Sequence, residues 1–121
     1  MARIVLIEDS PTDRAVFTQW LTKAGHEVIE AHNAEDGILL VQEHQPQLVL
    51  MDVVLPGMSG FQATRSLSRD QATKDIPVII VSTKAMETDK AWGMRQGAAA
   101  YIVKPPREDE LIAQINDLLV T

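Results

Sequence analysis

Gln47 to Gly60 reads Q-L-V-L-M-D-V-V-L-P-G-M-S-G, a short apolar run that stops on a carboxylate. Leu48, Val49, Leu50 and Met51 have the pattern of a strand buried on both faces, and that strand delivers Asp52 at its end. An ionised carboxylate beside apolar surroundings is costly unless it caps a loop, pairs with a cation or does chemistry. Read alone, Asp52 fits a loop-capping acid as well as a functional one.

Outward from this strand the chain alternates. Upstream, Arg3 to Ile7 (R-I-V-L-I) is an apolar β-branched run that stops at Glu8-Asp9. Ser10 suits a helix N-cap, Pro11 the first helical position, and Asp13 completes a capping-box-like spacing. Val16, Phe17, Trp20, Leu21 and Ala24 give that helix an apolar stripe, and Gly25 is placed to end it. His26 to Ala31 reads as a second strand, and Asn33 caps a helix running to about His44. Downstream, Pro56-Gly57 makes a turn and Ser59 to Gln62 has capping-box spacing for a helix through about Arg69. Pro77 to Val81 is a fourth strand, closed by Ser82-Thr83. A weak helix follows from about Ala85 to Gln96, with Gly93 inside it. Ala99 to Val103 is a fifth strand ending at Lys104, and Leu111, Ile112, Ile115, Leu118 and Leu119 stripe a last helix.

Five strands, each followed by a helix and apolar throughout, predict an α/β fold with a doubly wound parallel sheet covered on both faces. The 121 residues, 45% hydrophobic and 23% charged, fit one domain spanning 1–121. A net charge of -6 with no basic run argues against nucleic acid or an anionic membrane as partner. The absence of cysteine excludes disulfides and thiolate chemistry. No apolar stretch reaches transmembrane length and no signal-peptide core precedes the first strand, so a cytoplasmic protein is expected.

Function in such folds gathers outside the carboxyl ends of the strands. Those ends carry Glu8 and Asp9, Asp52, Ser82 and Thr83, and Lys104. Carboxylates in close quarters raise one another's pKa unless a cation joins them. An oxygen-only donor set points to a hard divalent ion, Mg²⁺ in a cell. Asp52 then suits a nucleophile that forms an acyl phosphate, with the Ser82 hydroxyl and Lys104 ammonium on the phosphoryl oxygens.

Glu8-Asp9, Asp52 with Pro56 and Gly60, Ser82, Tyr101 and Lys104-Pro105 together resemble the receiver domain of bacterial two-component response regulators along the whole chain. The resemblance implies the flavodoxin-like receiver fold with strand order 2-1-3-4-5. It also implies Mg²⁺ held by Glu8, Asp9, Asp52 and the Val54 carbonyl, a histidine kinase as phosphodonor, and a cis Lys104-Pro105 peptide. Gly60 to Arg65 and Glu87 to Gly93 look like the stand-alone receivers of type IV pilus twitching-motility chemosensory systems. That likeness implies a downstream pilus or motor protein partner and a monomer or weak dimer. Glu8 stands where Asp is commoner, and Pro106 where an aromatic or aliphatic residue is frequent.

Tyr101 and Trp92, with Thr83 and Lys84, fall on the face that similar receivers use for switching and partners; Trp92 serves packing or partner binding equally well. Met51, Met58 and Met94 read as gap-fillers, and His26, His32 and His44 lack ligand spacing. Two functional alternatives stand: a receiver of another two-component pathway, and a metal-dependent phosphohydrolase with an Asp nucleophile. The second would carry another Asp two residues beyond Asp52, where this chain has Val54.

Overall fold

In the computed structural model, which describes residues 1–119, the strands are β1 (Arg3–Ile7), β2 (Glu27–Ala31), β3 (Leu48–Met51), β4 (Val78–Ser82) and β5 (Ala100–Val103). They alternate with α1 (Pro11–Lys23), α2 (Ala34–His44), α3 (Gly60–Arg69), α4 (Glu87–Arg95) and α5 (Glu108–Leu119). All pairings are parallel, and the order is β2-β1-β3-β4-β5. The α/β class is the one the alternation of strands and helices predicted, and the order 2-1-3-4-5 is the one the resemblance implied.

The apolar runs are continuous because the sheet is covered on both sides, and period 2 sorts each run between two cores. Val5, Ile7, Val49, Met51, Val78 and Ile80 face α2 and α3, where Val41, Ala63 and Leu67 meet them. Ile4, Leu6, Leu48, Leu50, Ile79 and Val81 face α1 and α5, against Phe17, Leu21, Leu111 and Ile115. Register does the rest of the positioning. Ile7 pairs with Met51 at the ends of β1 and β3, so Glu8 and Asp52 emerge side by side at the point where strand order reverses.

Several boundaries differ from expectation. Ser82 belongs to β4, fully buried and paired with Val103, rather than lying beyond the strand. Helix α4 starts at Glu87, not Ala85, with Met86 as its N-cap. Met86 has no acceptor side chain, and only Asp89 reaches back to its N–H (3.2 Å). β2 and β5 each begin one residue later than read. Val16 and Ala24 are exposed rather than part of the buried stripe of α1, whose buried residues are Phe17 and Leu21. Met51 and Met58 do pack in or against the core, but Met94 is 46% exposed and fills no gap.

Candidate functional site

Backbone bonds fix the floor of the site. The Asp52 N–H donates to the Ile7 carbonyl (3.0 Å) and the Glu8 N–H to the Ala31 carbonyl (3.0 Å), extending the sheet by one rung on each side. The Lys104 N–H donates to the Ser82 carbonyl (2.8 Å), which brings the fifth strand end alongside the fourth. Gly60, the first residue of α3, donates to the Val53 carbonyl (2.9 Å). A Cβ at Gly60 would overlap the Asp52 carbonyl oxygen and crowd the Val53 Cα, so only glycine lets α3 close over the loop that follows Asp52. The Lys104-Pro105 peptide is cis.

Glu8, Asp9 and Asp52 each place a carboxylate oxygen within 4.8 Å of the others. Glu8 and Asp52 are buried and Asp9 is exposed, so the cluster has a closed side and an open one. Lys104, whose side chain is 10% exposed, donates to Glu8 Oε1 at 2.7 Å and Asp13 Oδ2 at 2.8 Å, and reaches Asp52 Oδ2 at 3.5 Å. The other Asp52 oxygen, Oδ1, accepts from the Val53 N–H at 2.8 Å.

Burial pushes the Glu8 carboxyl up to about 7; the Lys104 hydrogen bond opposes the rise and the Asp52 charge adds to it. Burial alone would lower the Lys104 ammonium, but its bonds to Asp13 and Glu8 and the Asp52 charge hold it above its ordinary value. Glu8, Asp9, Asp13 and Asp52 are gathered around the single Lys104 ammonium, so the carboxylates outnumber the cation that faces them. Such an all-oxygen donor set fits a hard divalent ion.

The remaining expected residues divide. Ser82 is fully buried near the cluster, and its hydroxyl accepts from the Lys84 N–H (3.2 Å) rather than bonding a carboxylate. Thr83 and Lys84 follow it, both exposed. Val54 is 56% exposed at the mouth of the loop after Asp52. Tyr101 donates from its hydroxyl to the Lys84 carbonyl (2.7 Å), and burial raises its pKa. Gly93 of α4 lies against the Tyr101 ring, and Trp92 beside it in sequence is 45% exposed.

Two participants were not legible beforehand. Asp13 does accept no reciprocal cap bond: its N–H donates to Ser10 Oγ (3.2 Å), while its carboxylate turns to Lys104. Arg14 donates to the Glu8 carbonyl (2.9 Å) and the Asp9 carbonyl (3.3 Å), bracing the acidic loop from behind. The surplus of acids between 8 and 13 was the available signal for Asp13; nothing local marked Arg14.

The family described as the response regulator receiver domain matches residues 4–116. Protein PilH of Pseudomonas aeruginosa is 52% identical over 119 residues, which cover 98% of each chain. The phosphate regulon transcriptional regulatory protein PhoB of the same organism is 36% identical over 116 residues, covering 96% of this chain and 51% of PhoB. The solved structure of Vibrio cholerae chemotaxis protein CheY4 superposes with a TM-score of 0.92 at 25% identity, over 98% of this chain and 99% of CheY4. The receiver domain of the sensor histidine kinase PA1611 from P. aeruginosa, whose structure has a magnesium ion coordinated in its active site cleft, shares the fold with a TM-score of 0.92 at 23% identity, over 99% and 98%. With strand order, site composition and sequence all agreeing, this chain belongs to the response regulator receiver domain family.

Proposed function

We propose that residues 1–121 form one receiver domain that accepts a phosphoryl group on Asp52 from a histidine kinase, with Mg²⁺, and thereby alters a partner-binding face. The observation that carries this reading is the asymmetry of Asp52. Its Oδ1 is occupied by the Val53 N–H, while Oδ2 faces the Lys104 ammonium and is the oxygen free to attack. Attack forms an O–P bond as the P–N bond to the kinase imidazole breaks, its electron pair returning to the ring. Glu8, Asp9, Asp52 and the Val54 carbonyl are the groups that would hold Mg²⁺, which would neutralise phosphoryl charge. Lys104 and the Ser82 hydroxyl are the chain's own donors for the phosphoryl oxygens.

The chemistry is confined to the domain's own aspartate, so the protein signals rather than turning over an external substrate. Thr83 and Lys84 join Ser82 to the Tyr101 hydroxyl through one exposed turn, which supports the surface around Tyr101 and Trp92 as the responding face. The 52% identity with PilH supports twitching motility or a related chemotaxis-like pathway, with a pilus or motor protein as output. The setting proposed is the cytoplasm; among the described residues no helix is long and apolar enough to cross a membrane. Val54 weighs against a phosphohydrolase, since an exposed apolar side chain supplies no general acid.

Incubation with acetyl phosphate and Mg²⁺, followed by intact mass, tests the assignment. Wild type gains one phosphoryl group and Asp52→Asn gains none. An undiminished gain in that variant, or none in wild type, would overturn it.

A further inference from the structure

Lys104 has three N–H donors, and the structure directs them at three carboxylates that differ sharply in accessibility. The side chains of Glu8 and Asp52 are 2% and 8% exposed, whereas that of Asp13 is 39% exposed. The short contacts go to Glu8 (2.7 Å) and Asp13 (2.8 Å), and the long one, 3.5 Å, goes to the phosphoacceptor. The ammonium is thus drawn to the side of the site away from Asp52. A phosphoryl group on Asp52 brings further oxygens that need the same three N–H donors, so a strong bond to it comes at the expense of an existing partner. Giving up Glu8 takes the only ammonium from a buried carboxylate, which is expensive until Mg²⁺ takes its place. Giving up Asp13 is cheap, because the first turn of α1 already exposes that carboxylate to water.

From this geometry we infer that Asp13 is a positioning residue: it parks the Lys104 ammonium away from Asp52 in the unphosphorylated protein and is the partner surrendered when the phosphoryl group arrives. The inference rests on the phosphoacceptor reading given above. Asp13 touches neither the reacting oxygen nor the phosphoryl group and acts only through Lys104. Its backbone N–H, not its carboxylate, engages the Ser10 cap, so the side chain is free for this role without cost to the helix start.

Beryllofluoride with Mg²⁺ is the probe, as a stand-in for the phosphoryl group. Asp13→Asn should bind it about fivefold more tightly than wild type, the scale of one charge-assisted hydrogen bond largely replaced by water. Asp13→Glu, which keeps the charge on a longer arm, should bind like wild type. In a Lys104→Met background the Asp13→Asn effect should vanish. In the metal-free protein the Lys104 Nζ resonance should shift on Asp13→Asn, reporting the released ammonium directly. Equal or weaker binding by Asp13→Asn overturns the inference, and so does a fivefold gain that survives in Lys104→Met, which would be simple loss of a repelling charge. If wild type fails both to bind beryllofluoride and to take up phosphate, the phosphoacceptor reading itself falls; binding without an Asp13 effect leaves that reading intact and removes only the role of Asp13.

Discussion

Helices α3 and α4 follow one another, differ by a single residue in length, and are built to opposite standards. α3 opens on a full capping box, with Ser59 Oγ accepting from the Gln62 N–H (3.2 Å) and Gln62 Oε1 accepting from the Ser59 N–H (2.9 Å). It buries Gly60, Ala63, Thr64 and Leu67, and the Thr64 hydroxyl donates back to the Gly60 carbonyl (2.8 Å). α4 has half a cap, one buried residue, and that residue is the glycine at 93. Its bulky side chains, Trp92 and Met94, are left in solvent. The helix that follows the Asp52 loop is anchored along its length, whereas its neighbour buries only Gly93. Low local stability of that kind is where moving elements are drawn from.

The contrast breaks first at Gly60. Gly60→Ala forces a methyl group onto the Asp52 backbone and should cost about 3 kcal/mol or more, read as a loss of denaturant midpoint. A change under about 1 kcal/mol would mean that α3 is not clamped to the loop at all.

Gly93→Ala is the matched change in α4. Helix propensity favours alanine by about 1 kcal/mol, but the new Cβ would lie 2.9 Å from a Tyr101 ring carbon and 3.0 Å from the Ile80 Cδ1. The expected net is a loss of about 1 kcal/mol, with the Tyr101 hydroxyl displaced from Lys84. Net stabilisation in a denaturant melt would show that the contact between α4 and β5 is slack.

The smallest effect is expected at Trp92. Trp92→Ala should alter stability by no more than about 0.5 kcal/mol, since the side chain is largely outside the core. In native-state hydrogen exchange, the α4 amides of wild type should open at lower free energy than those of α3. A large loss of stability at Trp92, or equal protection of the two helices, would erase the distinction.

The architecture was legible in the sequence because its signals are local. Caps at Ser10, Asn33 and Ser59, apolar runs of strand length, and Gly25 at a helix end each speak within a few residues. The strand-end carboxylates and Lys104 were legible for a second reason: parallel β/α winding brings all strand ends to one edge, so membership of the site follows from position alone. Asp13 escaped because its carboxylate had two possible partners, a cap three residues away and a lysine 91 residues away, and only the fold shows which one it takes. Trp92 and Gly93 escaped for a related reason. Adjacent helical positions face different directions, and a helix with so few apolar residues does not announce which of its faces is inward.

One modest bond gives the weak helix a direction. The Ser68 hydroxyl, in the last turn of α3, donates to the Gln96 carbonyl (2.8 Å) just past the end of α4, and Gly97 packs so closely on Ser68 that a Cβ there would clash. The C-terminal end of α4 is thus pinned to the rigid helix, while at its N-terminal end Met86 is capped from within the helix, by Asp89, and the bond from Tyr101 falls two residues earlier, on Lys84. A rod fastened at one end is a lever. With nine residues it is about 13 Å long, so a tilt of about 10° about the Ser68 hinge would swing the Met86 end by about 2 Å while hardly moving Gln96. The free end is the one that follows Lys84, nearest in sequence to Ser82, so a small input at the buried hydroxyl would be read out as its largest displacement at Met86 and Glu87.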